Sequence, residues 1–299
     1  MTSEPLFRRL TTWSSALFLG LAGCRDEPAP STPPGTSGAP NQTNPSSVEE
    51  AAQRARDEVE KAVNPKGLPV YSGPVGAVRG VVTITGDSPP FVTERAEKLP
   101  REGCPRARDH YRKLYRQGPE RTLGDVLVTV TEYAGYVRPS VDEVRVEIEG
   151  CAFDRNVVAM AFGQHLEVFN LDSQPYMPRL LGPPSYALRV AMPRGGPVPL
   201  YAPRPGKYLL AEETREYMRA EVFVLNYPTY RVTGLDGRFE ITGIPAGTVK
   251  VTAYAVAIGK ISEQKIEIQT GVTEDLSFAL EFSQAEYDAA LEAARTTQP

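Results

Sequence analysis

Between residues 75 and 282, short segments in which apolar and polar side chains alternate recur at close intervals, separated by Gly, Pro, Asn or Asp. Alternation puts successive side chains on opposite faces of a β-strand, whereas an amphipathic helix needs a period of 3.6 residues. Many short strands at this spacing predict an all-β fold of Greek-key sandwiches. The predicted strands are 75–86, 123–133, 143–149, 156–162, 165–169, 186–192, 206–210, 220–225, 238–242, 249–254, 261–269 and 275–282.

Short helices are predicted at both ends of this β region. Residues 48–64 are rich in Ala, Glu and Arg and run into Asn64-Pro65, which stops a helix. Ser283 with Glu286 has the spacing of a capping box and predicts a C-terminal helix over 283–299. The Pro-, Arg- and Glu-rich stretch 87–121 predicts irregular structure, with its basic run on a solvated loop or short helix.

The first 24 residues are typical of an export signal. Arg8 and Arg9 precede a mostly apolar stretch over 10–21, a length that suits a signal peptide and is short for a membrane span. The next residues, Leu21-Ala22-Gly23-Cys24, resemble the lipobox of bacterial lipoproteins, which implies lipid attachment at Cys24. Residues 25–47 are dominated by Pro, Ser, Thr, Gly and Asn, which predicts a disordered tether.

Together these segments predict a lipid-anchored protein of the bacterial cell envelope that faces the periplasm or the cell surface. The outer membrane is the preferred location, because Arg25 supplies no retention signal for the inner membrane. With Cys24 assigned to the lipid, two of the three cysteines remain, Cys104 and Cys151. An even pair in an oxidising compartment predicts a disulfide, the alternative being two separate buried thiols. The net charge of −4 gives no reason to expect a nucleic-acid partner.

The stretch 233–254 resembles the carboxypeptidase-regulatory-like domain, a transthyretin-like β-sandwich. The family pattern joins a Gly-x-Phe strand to a Gly-[Leu/Ile]-Pro-x-Gly turn, with an acidic residue that Asp236 supplies. The matching residues are Thr233, Gly237, Phe239, Gly243, Ile244, Pro245 and Gly247. The resemblance implies a sandwich over 75–135 plus 228–282, interrupted by an insertion.

The intervening residues 142–227 resemble cupredoxin-like domains. The resemblance rests on Gly150-Cys151-Ala152-Phe153, on Gly163-Gln164, on Asn170-Leu171-Asp172 and on Tyr227-Pro228. It implies a second β-sandwich inserted into the first, at a surface loop where insertions are tolerated.

The same resemblance identifies four copper-site positions, and three of them have lost their ligands. A type 1 copper site uses two imidazoles, a thiolate and a weak axial Met. The histidine positions correspond to Tyr176 and Arg215, the cysteine position to Glu212, and Met218 alone is retained. The prediction is therefore no metal and no cofactor, with Glu212 and Arg215 forming an ion pair or belonging to an unrelated surface.

No catalytic motif such as His-Glu-x-x-His, a P-loop or Gly-x-Ser-x-Gly occurs in the chain, so no enzyme activity is expected. The favoured interpretation is a binding or scaffold module, a degenerate cupredoxin held at the membrane, whose protein or glycan partner is unidentified. One alternative is a carbohydrate- or peptidoglycan-binding module, for which a sugar-binding face could be formed by Tyr201, Tyr208, Tyr217, Tyr227 and Tyr230. The other alternative is copper-dependent electron transfer.

Overall fold

The computed structural model describes residues 45–100, 102–139, 143–182 and 189–297. The predicted signal segment with Cys24, and the predicted tether up to residue 44, lie outside these residues. The chain divides into Met1–Ser47 and Val48–Pro299, and the sandwiches described below belong to the second unit.

The strands fall into three groups along the chain. The first group is β1 (Val75–Gly86) and β2 (Val126–Thr131). The second group is β3 (Glu143–Glu149), β4 (Ala152–Phe153), β5 (Val157–Ala161), β6 (His165–Asn170), β7 (Pro178–Leu181), β8 (Val198–Tyr201), β9 (Gly206–Glu212) and β10 (Arg219–Leu225). The third group is β11 (Tyr230–Val232), β12 (Arg238–Pro245), β13 (Gly247–Ala255), β14 (Lys260–Ile268), β15 (Thr273–Asp275) and β16 (Phe278–Phe282).

The first and third groups form one structure, which we call the terminal sandwich. In one sheet, β1 pairs antiparallel with β12 and parallel with β15 and β16. The facing sheet has the order β11-β2-β13-β14. The two sheets share a hydrophobic core that includes Val78, Val82, Ile84, Val128, Val251, Phe239 and Phe278.

Gly80 explains why β1 can pair with β15 and β16 in succession. The link between these two strands passes directly over Gly80, where an added Cβ would lie 1.5 Å from the carbonyl oxygen of Leu276. Only glycine leaves room for this backbone approach. Leu276 in turn donates its N–H to the carbonyl of Arg79 at 2.8 Å, which holds the link against β1.

The second group forms the inserted sandwich. Its sheets have the orders β5-β10-β9-β7 and β4-β3-β6-β8, with parallel pairs β5–β10 and β3–β6. The core includes Ile148, Phe153, Met160, Leu166, Leu210 and Val222, together with Ala107 and Tyr111 from the segment before β2. Residues upstream of the insertion therefore help to close its core.

The predicted all-β fold is confirmed, and β1 begins and ends where the alternation places it. The alternation does not predict β7 or β8, because each has four residues and contains a proline. The predicted strand 186–192 is wrong over 189–192, where Ala191 makes a single bridge with Tyr176, while residues 183–188 lie outside the described part of the chain. The predicted strand 275–282 is divided at Leu276 and Ser277 into the end of β15 and β16.

The two Gly-containing turns of the 233–254 stretch are not hairpins. Asp236-Gly237 connects β11 to β12, and Ala246 connects β12 to β13, but in both cases the two strands belong to different sheets. The chain therefore crosses the sandwich twice within this stretch. Asp236 accepts the N–H of Arg238 at 3.1 Å, the local bond that favours Asp at a turn.

Helices also differ from prediction in detail. The stretch 87–121 is not wholly irregular, because it contains α2 (Thr93–Lys98), α3 (Pro105–Tyr111) and a 3₁₀ turn at Pro119–Arg121. The first helix, α1, covers Pro45–Val63, so it begins three residues before its predicted start. Proline suits a first helical position because its missing N–H would have no partner there.

The C-terminal helix α4 covers Gln284–Thr297. Ser283 accepts the N–H of Glu286 at 3.4 Å as the capping box predicts, but the Glu286 carboxylate binds Lys260 at 2.8 Å instead of the Ser283 backbone. Within the described residues, no helix has both the length and the apolar character needed to cross a bilayer.

Candidate functional site

The four residues that the cupredoxin resemblance assigns to a copper site, Tyr176, Glu212, Arg215 and Met218, lie together at one end of the inserted sandwich. The Arg215 guanidinium lies over the Tyr176 ring, 4.5 Å from its centre, and 3.6 Å from a Glu212 carboxylate oxygen. Met218 is fully buried, and its N–H donates to the carbonyl of Arg215 at 2.8 Å. β9 ends at Glu212 and β10 begins at Arg219, so the last residue of β9 and the connection that follows it supply three of the four residues.

The Glu212 carboxylate is buried, and the connecting loop folds around it. It accepts the backbone N–H of Met177 at 3.0 Å, of Thr214 at 2.8 Å and of Arg215 at 2.6 Å. The Thr214 hydroxyl donates to the same carboxylate at 2.9 Å. Four hydrogen bonds and a nearby cation satisfy a charge that would otherwise be costly to bury.

A second group of polar side chains surrounds the Tyr176 hydroxyl. This hydroxyl donates to Asp172 at 2.6 Å and accepts from Gln174 at 2.8 Å. Gln174 also accepts a hydrogen bond from Arg215 at 2.8 Å, which connects the two groups. Burial, followed by the hydrogen bond and charge of Asp172, raises the pKa of Tyr176 well above its usual value. The tyrosine therefore stays neutral and acts as a hydrogen-bonding partner.

This network also reaches the disulfide. Cys104 and Cys151 are bonded, with their Cα atoms 5.2 Å apart, so the predicted disulfide is present. Asp172 accepts the N–H groups of Gly150 and Cys151 at 2.8 and 2.9 Å, and Gln174 contacts the Cys151 sulfur at 3.1 Å. The Asn-x-Asp motif identified this segment in the sequence. It did not predict that the Asp172 carboxylate lies between the disulfide and Tyr176.

The residues present do not fit a type 1 copper centre. The site has no imidazole, both described cysteine sulfurs are in the disulfide, and the Glu212 carboxylate is occupied by hydrogen bonds. A guanidinium, which has no lone pair to offer, occupies a position that the resemblance assigns to a histidine ligand. Across the described residues, no cluster of three or more His, Cys, Asp or Glu side chains is arranged to hold a metal ion.

A second polar cluster lies where the two sandwiches meet. Arg116, part of the predicted solvated basic run, is instead nearly buried and binds Asp125 through two nitrogens at 2.5 and 2.6 Å. Asp125 precedes β2 of the terminal sandwich and also accepts the N–H of Asn156, which precedes β5 of the inserted sandwich, at 3.0 Å. This ion pair therefore ties the sandwiches together. The sequence around Arg116 does not predict this ion pair, because its partner Asp125 lies outside the basic run.

His110 is buried beside this ion pair. Its Nδ1 lies 3.3 Å from the Arg116 guanidinium, which can only donate, so Nδ1 accepts and the ring is neutral. Burial, with a smaller contribution from the Arg116 charge, lowers the pKa of His110 to about 4. Neither His110 nor His165 lies at the copper-site positions.

Acidification should therefore destabilise the fold through His110. The unfolded chain binds a proton at this residue near its ordinary pKa of 6.5, but the folded chain binds it only near 4. The stability that the fold gains by keeping His110 neutral is fully present above pH 6.5 and is lost as the pH falls towards 4. Between pH 7 and pH 4, the free energy of unfolding should fall by about 3 kcal/mol more in the wild type than in His110→Gln. Urea unfolding at stepwise pH measures this, and equal pH dependence of the two proteins would contradict it.

A cleft of about 700 Å³ lies between the two sandwiches; we call it the inter-sandwich cleft. One wall is formed by α2, α3 and the β9–β10 region, and the other by residues 255–258 and α4. Of the five tyrosines considered above for a sugar-binding face, Tyr217 lines this cleft, whereas Tyr208 is in the core and Tyr201 is 60% exposed elsewhere. Those five residues do not form one face.

No protein-family model and no curated protein matches this sequence. Among solved structures, the chain is similar to a Cu-containing nitrite reductase from Thermus scotoductus SA-01, with 19% identity and a TM-score of 0.24 over 32% of this chain and 25% of that one. It is also similar to amicyanin from Paracoccus versutus, with 18% identity and a TM-score of 0.25 over 32% of this chain and 96% of amicyanin. The structural neighbours of about a third of the chain are thus weakly matched cupredoxins.

Proposed function

We propose that this chain is a non-enzymatic, lipid-anchored envelope protein that serves as a binding or scaffold module. In this proposal, a cupredoxin-like sandwich has exchanged its copper site for a polar network and no longer transfers electrons. The main support is Glu212, to which the resemblance assigns the position of the copper-binding thiolate and whose carboxylate is fully engaged by the surrounding loop. The inter-sandwich cleft adds a concave surface of the size that small-molecule sites have.

Copper titration tests the loss of the redox centre. We expect Cu(II) added to the purified chain to produce no intense blue absorbance, because no thiolate or imidazole is available at the four positions. Copper-depleted amicyanin, titrated under the same conditions, is the positive control. An intense blue band that develops with one equivalent of copper would refute the metal-free proposal.

Fatty-acid labelling tests the anchor. Cells grown with a radioactive fatty acid should label the wild-type chain and should not label Cys24→Ser, because acylation needs the thiol at the start of the mature protein. The double variant Cys104→Ser/Cys151→Ser keeps Cys24 and is the matched control, which should be labelled. Equal labelling of Cys24→Ser and wild type would show that this cysteine is not the attachment point.

A further inference from the structure

We propose that the inter-sandwich cleft binds a neutral oligosaccharide. This rests on the proposed function as a binding module and names the class of ligand for it. The cleft adjoins the polar network at Glu212 through the β9–β10 connection, which gives it Glu216 and Tyr217, and its volume of about 700 Å³ is within the range of sites that enclose small ligands. The lining combines residues of helices and strands with residues of the connections between them, among them Tyr115, Asn156 and Tyr217.

Tyrosine and aliphatic side chains form the apolar part of the lining. Tyr111, Tyr115, Tyr217 and Tyr287 border the cleft, with Leu209 and Ile258 beside them. Tyr111, Tyr115 and Tyr217 are only 2%, 4% and 8% exposed and add little accessible surface, so the half-buried Tyr287 is the ring available to pack against the C–H face of a sugar. Within the described part of the chain, no group forms a hydrogen bond with the hydroxyls of Tyr217 or Tyr287, so these hydroxyls remain able to bond a ligand.

The charged groups of the cleft are nearly balanced. Glu216 binds Lys98 at 2.6 Å, Arg219 donates to the carbonyl of Glu216 at 2.7 Å, and Arg116 is bound to Asp125. A phosphorylated ligand would need an excess of cations, and a fatty acid would need a continuous apolar channel; the lining provides neither. Glu97, which forms no ion pair among the described residues, adds an acceptor for hydroxyl donors at the rim. In the described part of the chain, an unpaired carboxylate and free tyrosine hydroxyls can hydrogen-bond the hydroxyl groups of a neutral sugar.

Isothermal titration calorimetry of the full-length chain in detergent tests this directly. The probes are chitotriose, cellotriose and maltotriose, with glucose 6-phosphate and decanoate as anionic and apolar probes. We expect at least one neutral oligosaccharide to bind, and Ile258→Trp, which fills the cleft, to weaken it at least about tenfold. Ile261→Trp is the matched control, because Ile261 is 59% exposed on β14 and does not line the cleft; it should bind as the wild type does.

A second variant, Glu97→Ala, tests the cleft independently if Ile258→Trp does not fold. Glu97 is exposed on α2, so Glu97→Ala should keep the wild-type melting temperature and still weaken the same sugar several-fold. The inference is overturned if no neutral sugar binds, if binding persists unchanged in both cleft variants, or if only the anionic or apolar probe binds. A blank sugar panel beside a colourless copper titration would remove the sugar assignment while leaving the metal-free binding module standing.

Discussion

Replacing Arg116 with methionine should lower the free energy of unfolding by about 3–5 kcal/mol, because it leaves the buried Asp125 carboxylate without its cation. The two side chains are only 13% and 7% exposed, so water replaces the guanidinium only in part. Arg116 also donates to the carbonyl of Asp154 at 3.3 Å, and the variant loses this contact with the inserted sandwich as well. Urea unfolding followed by circular dichroism measures the change.

Arg79→Met is the matched control for this experiment. Arg79 also binds one aspartate, Asp275, through two nitrogens, at 2.8 and 3.3 Å. Its ion pair is exposed, with side chains 58% and 74% accessible, and exposed pairs add little to stability. We expect Arg79→Met to unfold almost as the wild type does. Equal losses in the two variants would show that burial is not the cause of the Arg116 effect.

The second large effect is expected at Glu212. Glu212→Ala removes the acceptor for three backbone N–H groups and the Thr214 hydroxyl, and each buried donor left unpaired costs about 1–3 kcal/mol. The total should reach about 3–6 kcal/mol, reduced where the loop relaxes or water enters. Glu212→Gln keeps one oxygen but turns an NH₂ group towards the donors, so its loss should be intermediate. Thermal and urea unfolding both report these changes.

The neighbouring residue provides the control. Glu213 binds Arg179 at 2.7 Å with its side chain 36% exposed, and Glu213→Ala should change stability by less than about 1 kcal/mol. The pair therefore separates the effect of a buried, fully engaged carboxylate from that of a surface charge one residue away. A Glu212→Ala variant as stable as Glu213→Ala would mean that the hydrogen bonds to Glu212 are not important for the fold.

The sequence predicts the parts of the fold that repeat a local pattern. β1 is placed correctly because its residues alternate over twelve positions, and the disulfide follows from the even number of cysteines left after Cys24. β11 has three residues and β7 begins with a proline, so neither offers a pattern long enough to recognise. Their pairing is decided by neighbours far away in the chain.

The candidate sites were predictable to different degrees. The proximity of Glu212 and Arg215 follows from their spacing, but the distances to Met177 and Gln174 depend on how β7 and its approach pack against β9. Arg116 belongs to a basic run that predicts an exposed segment, and its burial depends on Asp125 and on Asn156 from the other sandwich. The inter-sandwich cleft is assembled from several separate segments, so no single stretch of sequence could indicate it.

The insertion has a consequence for the order in which the protein folds. Thr83 of β1 contacts Phe278 of β16, 195 residues later, and the whole inserted sandwich is synthesised between β2 and β11. When the ribosome has completed β10, the inserted sandwich has every described strand it needs, whereas six of the eight described strands of the terminal sandwich do not yet exist. Contacts of such long range form slowly. Until they form, β1 remains unpaired with its apolar residues Val78, Val82 and Ile84 exposed, and it can aggregate. Chains that end shortly after residue 225 should thus hold a folded insertion preceded by an unfolded first part of its host, β1 and β2.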